Sequence, residues 1–269
     1  MSGRILCSTG ALIGIPNGRD YRLLSGCAEN LRCDGYEFMM YSTWYPCQRA
    51  LVAFLHSLPI RFYVMHCEKS VGEKLSVGDV ETAFHDFREN CMIANAIGAD
   101  KMVLHLWNGK PSDQKIENHL AAYPDLKKEA ARCGIELTVE NVVCTNKDPL
   151  THFRSLLSLD KDVRFTWDTK LAAFHGQTDA LYDPDEKWLW DHISHMHLND
   201  YNGGYASWGH LQTLHIGQGN VDFDRLFAFL PETGYRGDYT VEATSFLPDG
   251  IIRWQDLNET FDKIRAHVR

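Results

Sequence analysis

Segments typical of β-strands alternate with segments typical of helices along the whole chain of 269 residues. Short apolar runs predict eight strands, at residues 4–7, 36–40, 61–66, 101–106, 135–140, 163–168, 193–198 and 238–242. The segments that follow them predict eight helices, near residues 20–33, 46–58, 78–97, 113–133, 149–159, 184–191, 222–231 and 254–267. A strand-then-helix order repeated eight times favours a parallel sheet closed into a barrel.

The predicted fold is therefore α/β, a (β/α)8 TIM barrel that occupies residues 1–269 as a single domain. A hydrophobic content of 44% can fill one large core, and no Pro/Ser-rich linker or low-complexity tract divides the chain. The alternative fold is an open doubly wound sheet. The first strand lacks the G-x-G-x-x-G that typically follows it in nucleotide-binding sheets of that kind.

Charge and cysteine content narrow the function class. A formal net charge of −9 argues against an extended nucleic-acid surface and favours a small-molecule partner. The eight Cys are irregularly spaced without a C-x-x-C pair, and no secretory signal is evident, so we expect reduced thiols and a cytoplasmic location. No apolar run is long enough to span a bilayer, so no membrane role is expected. The sequence leaves open whether the chain forms a homo-oligomer.

Four predicted strands end on a metal-binding type of side chain: Glu140, Asp168, His197 and Glu242. Side chains alternate along a strand, so the apolar residue before each one faces the opposite way. A single polar strand end is most often a solvated terminus or a cap, but four that end alike are harder to explain in that way. Three carboxylates and one imidazole suit a divalent cation such as Mn²⁺, Mg²⁺, Co²⁺ or Zn²⁺.

Other polar and aromatic residues surround this predicted site. His66 and His105 end the third and fourth strands, and either could bind a second metal ion, contact substrate or be a hydrogen-bonded wall residue. Trp107 and His215 are candidates for the substrate wall. The long, glycine-rich loop after strand seven is a candidate lid. Within it, two glycines at 217 and 219 are weak evidence for a phosphate cradle, so substrate phosphorylation stays open.

Six motifs together resemble the xylose isomerase-like TIM-barrel superfamily: GYE at 35–37, VEN at 139–141, WDT at 167–169, HMHLND at 195–200, HIGQGN at 215–220 and VEA at 241–243. That superfamily includes sugar and sugar-phosphate isomerases and epimerases, hydroxypyruvate isomerase, inosose dehydratase and the endonuclease IV group. The resemblance covers essentially the whole chain. It implies that Glu140, Asp168, His197 and Glu242 bind a catalytic divalent metal.

The leading expectation is a metal-dependent isomerase or epimerase of a small sugar, sugar phosphate or related hydroxy-ketone. Glu140 and Glu242 would remove and return a proton through a metal-bound enediolate. The alternative is an endonuclease IV-like phosphodiesterase that acts on abasic DNA, since His66 and His105 also match its metal ligands. Against it, Leu171 replaces a His of the third zinc site, and LQTLHIG lacks the Asp-x-His of that site. A third hypothesis is a barrel that binds metal without catalysis.

Overall fold

The structure is a computed structural model that describes residues 3–108 and 113–268. Its eight strands are β1 Ile5–Ser8, β2 Gly35–Met39, β3 Phe62–His66, β4 Lys101–Leu104, β5 Glu136–Glu140, β6 Arg164–Asp168, β7 Ile193–His197 and β8 Asp238–Val241. They follow one another in chain order as a closed barrel. β1 pairs in parallel with both β2 and β8, which closes the order. The predicted (β/α)8 fold is confirmed.

The described α-helices are α1 Cys27–Asn30, α2 Gln48–Ser57, α3 Ser70–Val77, α4 Val80–Ile97, α5 Ile116–Arg132, α6 Pro149–Leu159, α7 Thr169–Phe174, α8 Trp188–His192, α9 Phe223–Thr233 and α10 Trp254–Val268. Short 3₁₀ helices occur in several connections, including Tyr21–Gly26 and Pro184–Glu186. None of the described helices has both the length and the apolar character needed to cross a membrane.

Several predicted helix boundaries are wrong. The predicted helix at 20–33 is a 3₁₀ segment followed by the single turn of α1, and α3 and α7 are helices that the pattern did not predict. Gly78 ends α3 with a left-handed φ of 81°, and Asp79 caps α4 by accepting a hydrogen bond from the backbone of Thr82. The turn and the cap separate α3 from α4, and the predicted helix at 78–97 corresponds to α4 alone.

The chain packs into two compact units, each with its own buried side chains. One comprises the described parts of 1–37, 58–61 and 167–269, and its largest fully buried side chains include Trp167, Phe174 and Tyr201. The other comprises 38–57 and the described parts of 62–166, where Phe153 and Phe165 stack with ring centroids 3.8 Å apart. The interpretation of residues 1–269 as a single domain stays a prediction.

Strand register sets where the polar strand ends lie. In β7 and β8, His197 is opposite Thr240, so Glu242 comes just beyond the paired part of β8. In β1 and β2, Ser8 is opposite Glu37. Because parallel strands run in one direction, residues at their carboxyl ends share one edge of the sheet.

Candidate metal and active site

Three of the predicted metal ligands lie together at the ends of β6, β7 and β8. The His197 Nδ1 atom lies 3.3 Å from a carboxylate oxygen of Glu242 and 3.9 Å from one of Asp168. His197 and Asp168 are fully buried, whereas the Glu242 side chain keeps 12% of its exposure. Two carboxylates and an imidazole nitrogen thus face one another within ion-pairing distance.

Asn199 holds the two carboxylates of this group in place. Its side-chain amide nitrogen donates to Asp168 Oδ2 at 2.8 Å and to Glu242 Oε2 at 3.2 Å. Its amide oxygen accepts a hydrogen bond from the backbone N–H of Glu242 at 3.0 Å. Because Asn199 is fully buried, these hydrogen bonds are shielded from water and orient both acidic side chains.

The other ring nitrogen of His197 is directed at Glu37, the central residue of β2. His197 Nε2 and His195 Nε2 lie 3.1 Å and 3.0 Å from the same Glu37 oxygen, which also accepts from Thr240 Oγ1 at 3.2 Å. An ionised carboxylate only accepts hydrogen bonds, so His197 Nε2 must carry its proton. In the neutral ring this leaves a lone pair on Nδ1, the atom that faces Asp168 and Glu242.

Glu37 is ionised in this environment. Burial alone raises the pKa of the Glu37 carboxyl, but the electrostatic interaction with His197 and the hydrogen bonds from His195 and His197 outweigh it and hold that pKa well below its usual range. Its second oxygen, Oε1, is buried without a hydrogen-bond partner among the described residues. A buried carboxylate with one oxygen lacking a hydrogen bond favours positive charge at His197 and at the Asp168 and Glu242 carboxylates on the other side of the ring.

We expect Glu37→Gln to weaken divalent-metal affinity by about tenfold to a hundredfold, since outer-shell carboxylates that orient a metal-binding His contribute on that scale. Titration against a chromophoric chelator measures this affinity directly. The matched control is Glu29→Gln, at an exposed position in α1, which should bind metal as the wild type does. A folded Glu37→Gln protein with unchanged affinity would show that His197 is oriented without Glu37.

His66, His105 and Glu140 form a second group, at the ends of β3, β4 and β5. His66 Nε2 lies 3.6 Å from Glu140 Oε2, and His105 Nε2 forms a close ion-pair contact with the same oxygen. The two rings meet edge to face with centroids 4.7 Å apart. All three side chains are buried. The two histidines that the sequence singled out therefore converge on one predicted metal ligand.

The hydrogen bonds of the Nδ1 atoms of His66 and His105 determine whether their Nε2 atoms present a proton or a lone pair to Glu140. His66 Nδ1 lies 3.1 Å from the carbonyl oxygen of Cys67, which only accepts. His105 Nδ1 lies 3.1 Å from Asn108 Oδ1, and the amide nitrogen of Asn108 donates to Glu73 at 2.6 Å. Both Nδ1 atoms therefore carry the proton, which in neutral rings leaves lone pairs on both Nε2 atoms, facing an anionic oxygen. A cation between them satisfies all three acceptors.

His105 is suited to such a role because burial lowers its pKa, against the opposing effect of Glu140. A neutral imidazole is the form that binds metals.

The structure groups Asp168, His197 and Glu242 in one unit and groups Glu140 with His66 and His105 in the other. The predicted four-ligand set, and the choice between substrate and second metal for the two histidines, stay predictions.

A third polar cluster, Asp113, Cys144 and His152, is held by structural hydrogen bonds. The Asp113 carboxylate accepts from the backbone N–H groups of Thr145, Asn146 and Lys147 at 2.8–3.1 Å, and from the ring of His152 at 3.3 Å. Burial raises the pKa of Asp113, but these donors outweigh it and lower the pKa below its usual value. Asp113 therefore anchors the loop after β5.

The two predicted wall residues are both buried. Trp107 has no exposed surface, and its indole nitrogen donates to the carbonyl oxygen of Val142 at 2.8 Å. His215 lies between Thr260 and Ser245, with ring nitrogens 2.8 Å and 3.2 Å from their hydroxyls. Their contact with substrate stays a prediction, and full burial weighs against it for Trp107.

The loop after β7 is closed at its base by Asp200. The buried carboxylate of Asp200 accepts hydrogen bonds from the backbone N–H groups of Tyr201, Gly217, Gly219 and Val221 at 2.8–3.0 Å. A Cβ at Gly219 would lie only 2.5 Å from Asp200 Oδ1, which explains the need for glycine there. The amides of Gly217 and Gly219 are thus already used, so they do not form a phosphate cradle.

Residues 28–261 match the family model described as xylose isomerase-like TIM barrel. The chain belongs to this family. The match spans strands β2 to β8, so it includes every residue of both polar groups. No significant match occurs among curated protein sequences.

Solved structures with the same fold include enzymes of more than one kind. The D-allulose 3-epimerase from Methylomonas sp. has a TM-score of 0.70 and 16% identity, with 99% of this chain and 98% of that chain covered. The IOLI protein, solved with a zinc atom, has a TM-score of 0.71 and 13% identity, with 99% of each chain covered. The probable 3-DHS dehydratase AsbF from Bacillus anthracis has a TM-score of 0.70 and 14% identity, with 98% and 99% covered. Identities this low establish the fold and not the reaction.

Proposed function

We propose that this member of the xylose isomerase-like family is a divalent-metal-dependent isomerase or epimerase of a small hydroxy-carbonyl compound of the sugar class. The observation that carries the proposal is the His197 imidazole. Glu37 fixes its proton on Nε2, and Nδ1 faces the carboxylates of Asp168 and Glu242. Such a carboxylate–histidine pair is the usual support of a metal-binding His.

The proposed ligands are Asp168, His197, Glu242 and Glu140. Glu140 ends β5 as Asp168 ends β6, and these strands are paired in parallel, which supports its inclusion. The donor set, with several carboxylate oxygens and one imidazole, suits Mn²⁺, Mg²⁺, Co²⁺ or Zn²⁺. A divalent ion bound there would hold adjacent substrate oxygens and polarise the carbonyl.

The two glutamates are the proposed proton-transfer groups. One removes a proton from the carbon next to the carbonyl, and the other returns a proton to the neighbouring carbon or to the opposite face. The partly exposed Glu242 can exchange its proton with solvent, whereas Glu140 is buried beside His66 and His105. A D-allulose 3-epimerase of the same fold supports a sugar as the substrate class.

An endonuclease IV-like phosphodiesterase is the second candidate, favoured by the convergence of His66 and His105 on Glu140. Two observations weigh against it. Leu171, rather than a His, follows Asp168 by three residues, and its apolar side chain is buried. The formal net charge of −9 opposes binding to a phosphate backbone.

A two-armed assay of metal-loaded protein separates these functions. We expect ketoses, their epimers and their phosphates incubated in deuterated water to gain deuterium beside the carbonyl, because proton abstraction exposes that position to exchange. A duplex with an abasic-site analogue should stay intact at low salt with Zn²⁺ or Mn²⁺. Mass spectrometry and gel analysis give the two results.

The remaining outcomes of this assay are equally decisive. Nicking that disappears in Glu140→Ala would promote the phosphodiesterase. Turnover without label would indicate direct hydride transfer between carbons, with His66 and His105 as ligands of a second metal. Absence of both reactions across a broad substrate panel would favour a barrel that binds metal without catalysis.

A further inference from the structure

Lys170 is a largely buried lysine near the start of α7. It is the second residue of α7 and follows Asp168 by two positions, and its residue exposure is 9%. Its Nζ atom donates to Thr213 Oγ1 at 2.8 Å. In the described part of the chain no carboxylate forms an ion pair with Lys170, and Thr213 is its one hydrogen-bonding partner.

An ammonium group has three N–H donors, and the neutral Thr213 hydroxyl accepts only one of them. Removing such a charge from water is costly unless an opposite charge or several hydrogen bonds compensate. Two arginines of the same unit have carboxylate partners: Arg4 lies 2.6 Å from Asp238, and Arg225 lies 2.6 Å from Asp179. Lys170 differs from them in having no anionic partner among the described residues.

Hydrogen bonds link Lys170 to the chain segments that carry two of the proposed metal ligands. Thr213, its partner, accepts a backbone hydrogen bond from Thr244 at 3.2 Å, and Thr244 is two residues beyond Glu242. Two residues of chain reach at most about 7 Å. The ammonium is thus tied to chain segments that lead directly to Asp168 on one side and to Glu242 on the other.

Two backbone donors of the adjoining loop are already used. The amides of Gly217 and Gly219, which could otherwise bind a phosphate, donate to Asp200. These two amides are therefore not available to a negatively charged substrate group, whereas the Lys170 ammonium has N–H donors that Thr213 does not use. The sequence carries a matching signal, since a Lys directly after WDT places a charge inside an otherwise apolar stretch, KLAAF.

We propose that Lys170 binds an anionic group at the end of the substrate remote from the carbonyl. The substrate class is then a hydroxy-carbonyl compound that carries a phosphate or a carboxylate, rather than a neutral sugar. The inference names the substrate of the reaction proposed above and rests on that function for the chemistry at the metal. Anion binding itself depends only on Lys170.

Binding is tested with metal-loaded wild type, Lys170→Met and, as a control, Lys161→Met, which removes a lysine at an exposed turn before β6. Inorganic phosphate and acetate are titrated separately at constant ionic strength by calorimetry. We expect Lys170→Met to weaken binding of at least one anion by about tenfold or more, as for loss of a charge-assisted hydrogen bond. Lys161→Met should stay within about twofold of the wild type.

Whichever of phosphate and acetate binds more tightly to the wild type identifies the anionic group of the substrate. In anion-free buffer the melting temperature of Lys170→Met should equal or exceed that of the wild type, because a buried unpaired charge has been removed. Lys170→Gln serves as a second neutral variant if the Met protein does not fold. Unchanged affinity for both anions in a folded neutral variant would overturn the proposal.

Turnover distinguishes failure of this inference from failure of the proposed function. Each sugar is compared with its terminally phosphorylated and carboxylated counterparts. In the wild type, kcat/KM should be about tenfold or more higher for an anionic form than for the neutral sugar. Lys170→Met should lack this preference. Lys170-dependent anion binding without deuterium exchange would keep the anion site and reject the reaction. Exchange on neutral sugars, unaffected by Lys170→Met, would keep the reaction and reject the anion site.

Discussion

Glu140→Gln and Glu242→Gln are each expected to lower turnover by at least about a hundredfold, since a general base contributes rate factors of that order and an amide cannot accept a proton from carbon. The change preserves side-chain size, so the surrounding packing is kept. Steady-state rates on the substrate identified by deuterium exchange give the measurement. Metal content must be determined beside each rate, because both residues are also proposed ligands.

Glu136→Gln is the matched control for this pair. Glu136 begins β5, the strand that Glu140 ends, and its partly exposed carboxylate pairs with Lys101 at 3.2 Å. We expect its rate to stay within about twofold of the wild type, as for loss of a surface ion pair. If both Glu140→Gln and Glu242→Gln stayed active and metal-loaded, carboxylate proton transfer would be rejected.

Asp168→Ala and Asp168→Asn are both expected to lose the bound metal, with affinity reduced by about a hundredfold or more, because each removes a charged ligand. The two differ in their effect on the fold. Asp168 Oδ1 caps α7 by accepting from the backbone N–H of Leu171 at 2.9 Å. Asn keeps that cap, whereas Ala removes it at a cost of about 1 kcal/mol of stability.

Elemental analysis after gel filtration measures the metal, and denaturant unfolding of metal-free protein measures the stability. Loss of metal in Asp168→Asn with wild-type stability would assign the effect to ligation alone. Full metal content in both variants would remove Asp168 from the site.

The repeat of strands was readable from the sequence because a buried parallel strand leaves a strong local signal, a short apolar run that ends at a polar residue. β5 and β6 end at Glu140 and Asp168 as predicted. Helices were less predictable where capping decided the outcome. The separation of α3 from α4 depends on Gly78 and Asp79, and α7 begins at the cap made by Asp168.

Supporting residues of the site were missed because their roles depend on long-range contacts. Glu37 lies 158 positions from His195 in sequence, and Asn199 lies 43 from Glu242, so no local pattern joins them. The spacing of HMH did contain a signal, since alternate residues of a strand share a face and both rings could reach one partner. Lys170 gave a weaker sequence signal, a charged residue within the otherwise apolar segment of α7.

Asp200 gives the loop after β7 an anchored base from which residues 202–213 extend. Its carboxylate gathers amides on both sides of that span, including Tyr201 and Val221, and its backbone pairs with Leu214. Insertions or deletions in the span would leave these bonds, and Asn199 beside them, in place. Asp200 therefore fixes the two ends of the loop and not its length, so loops of different length can be built on the same anchored base.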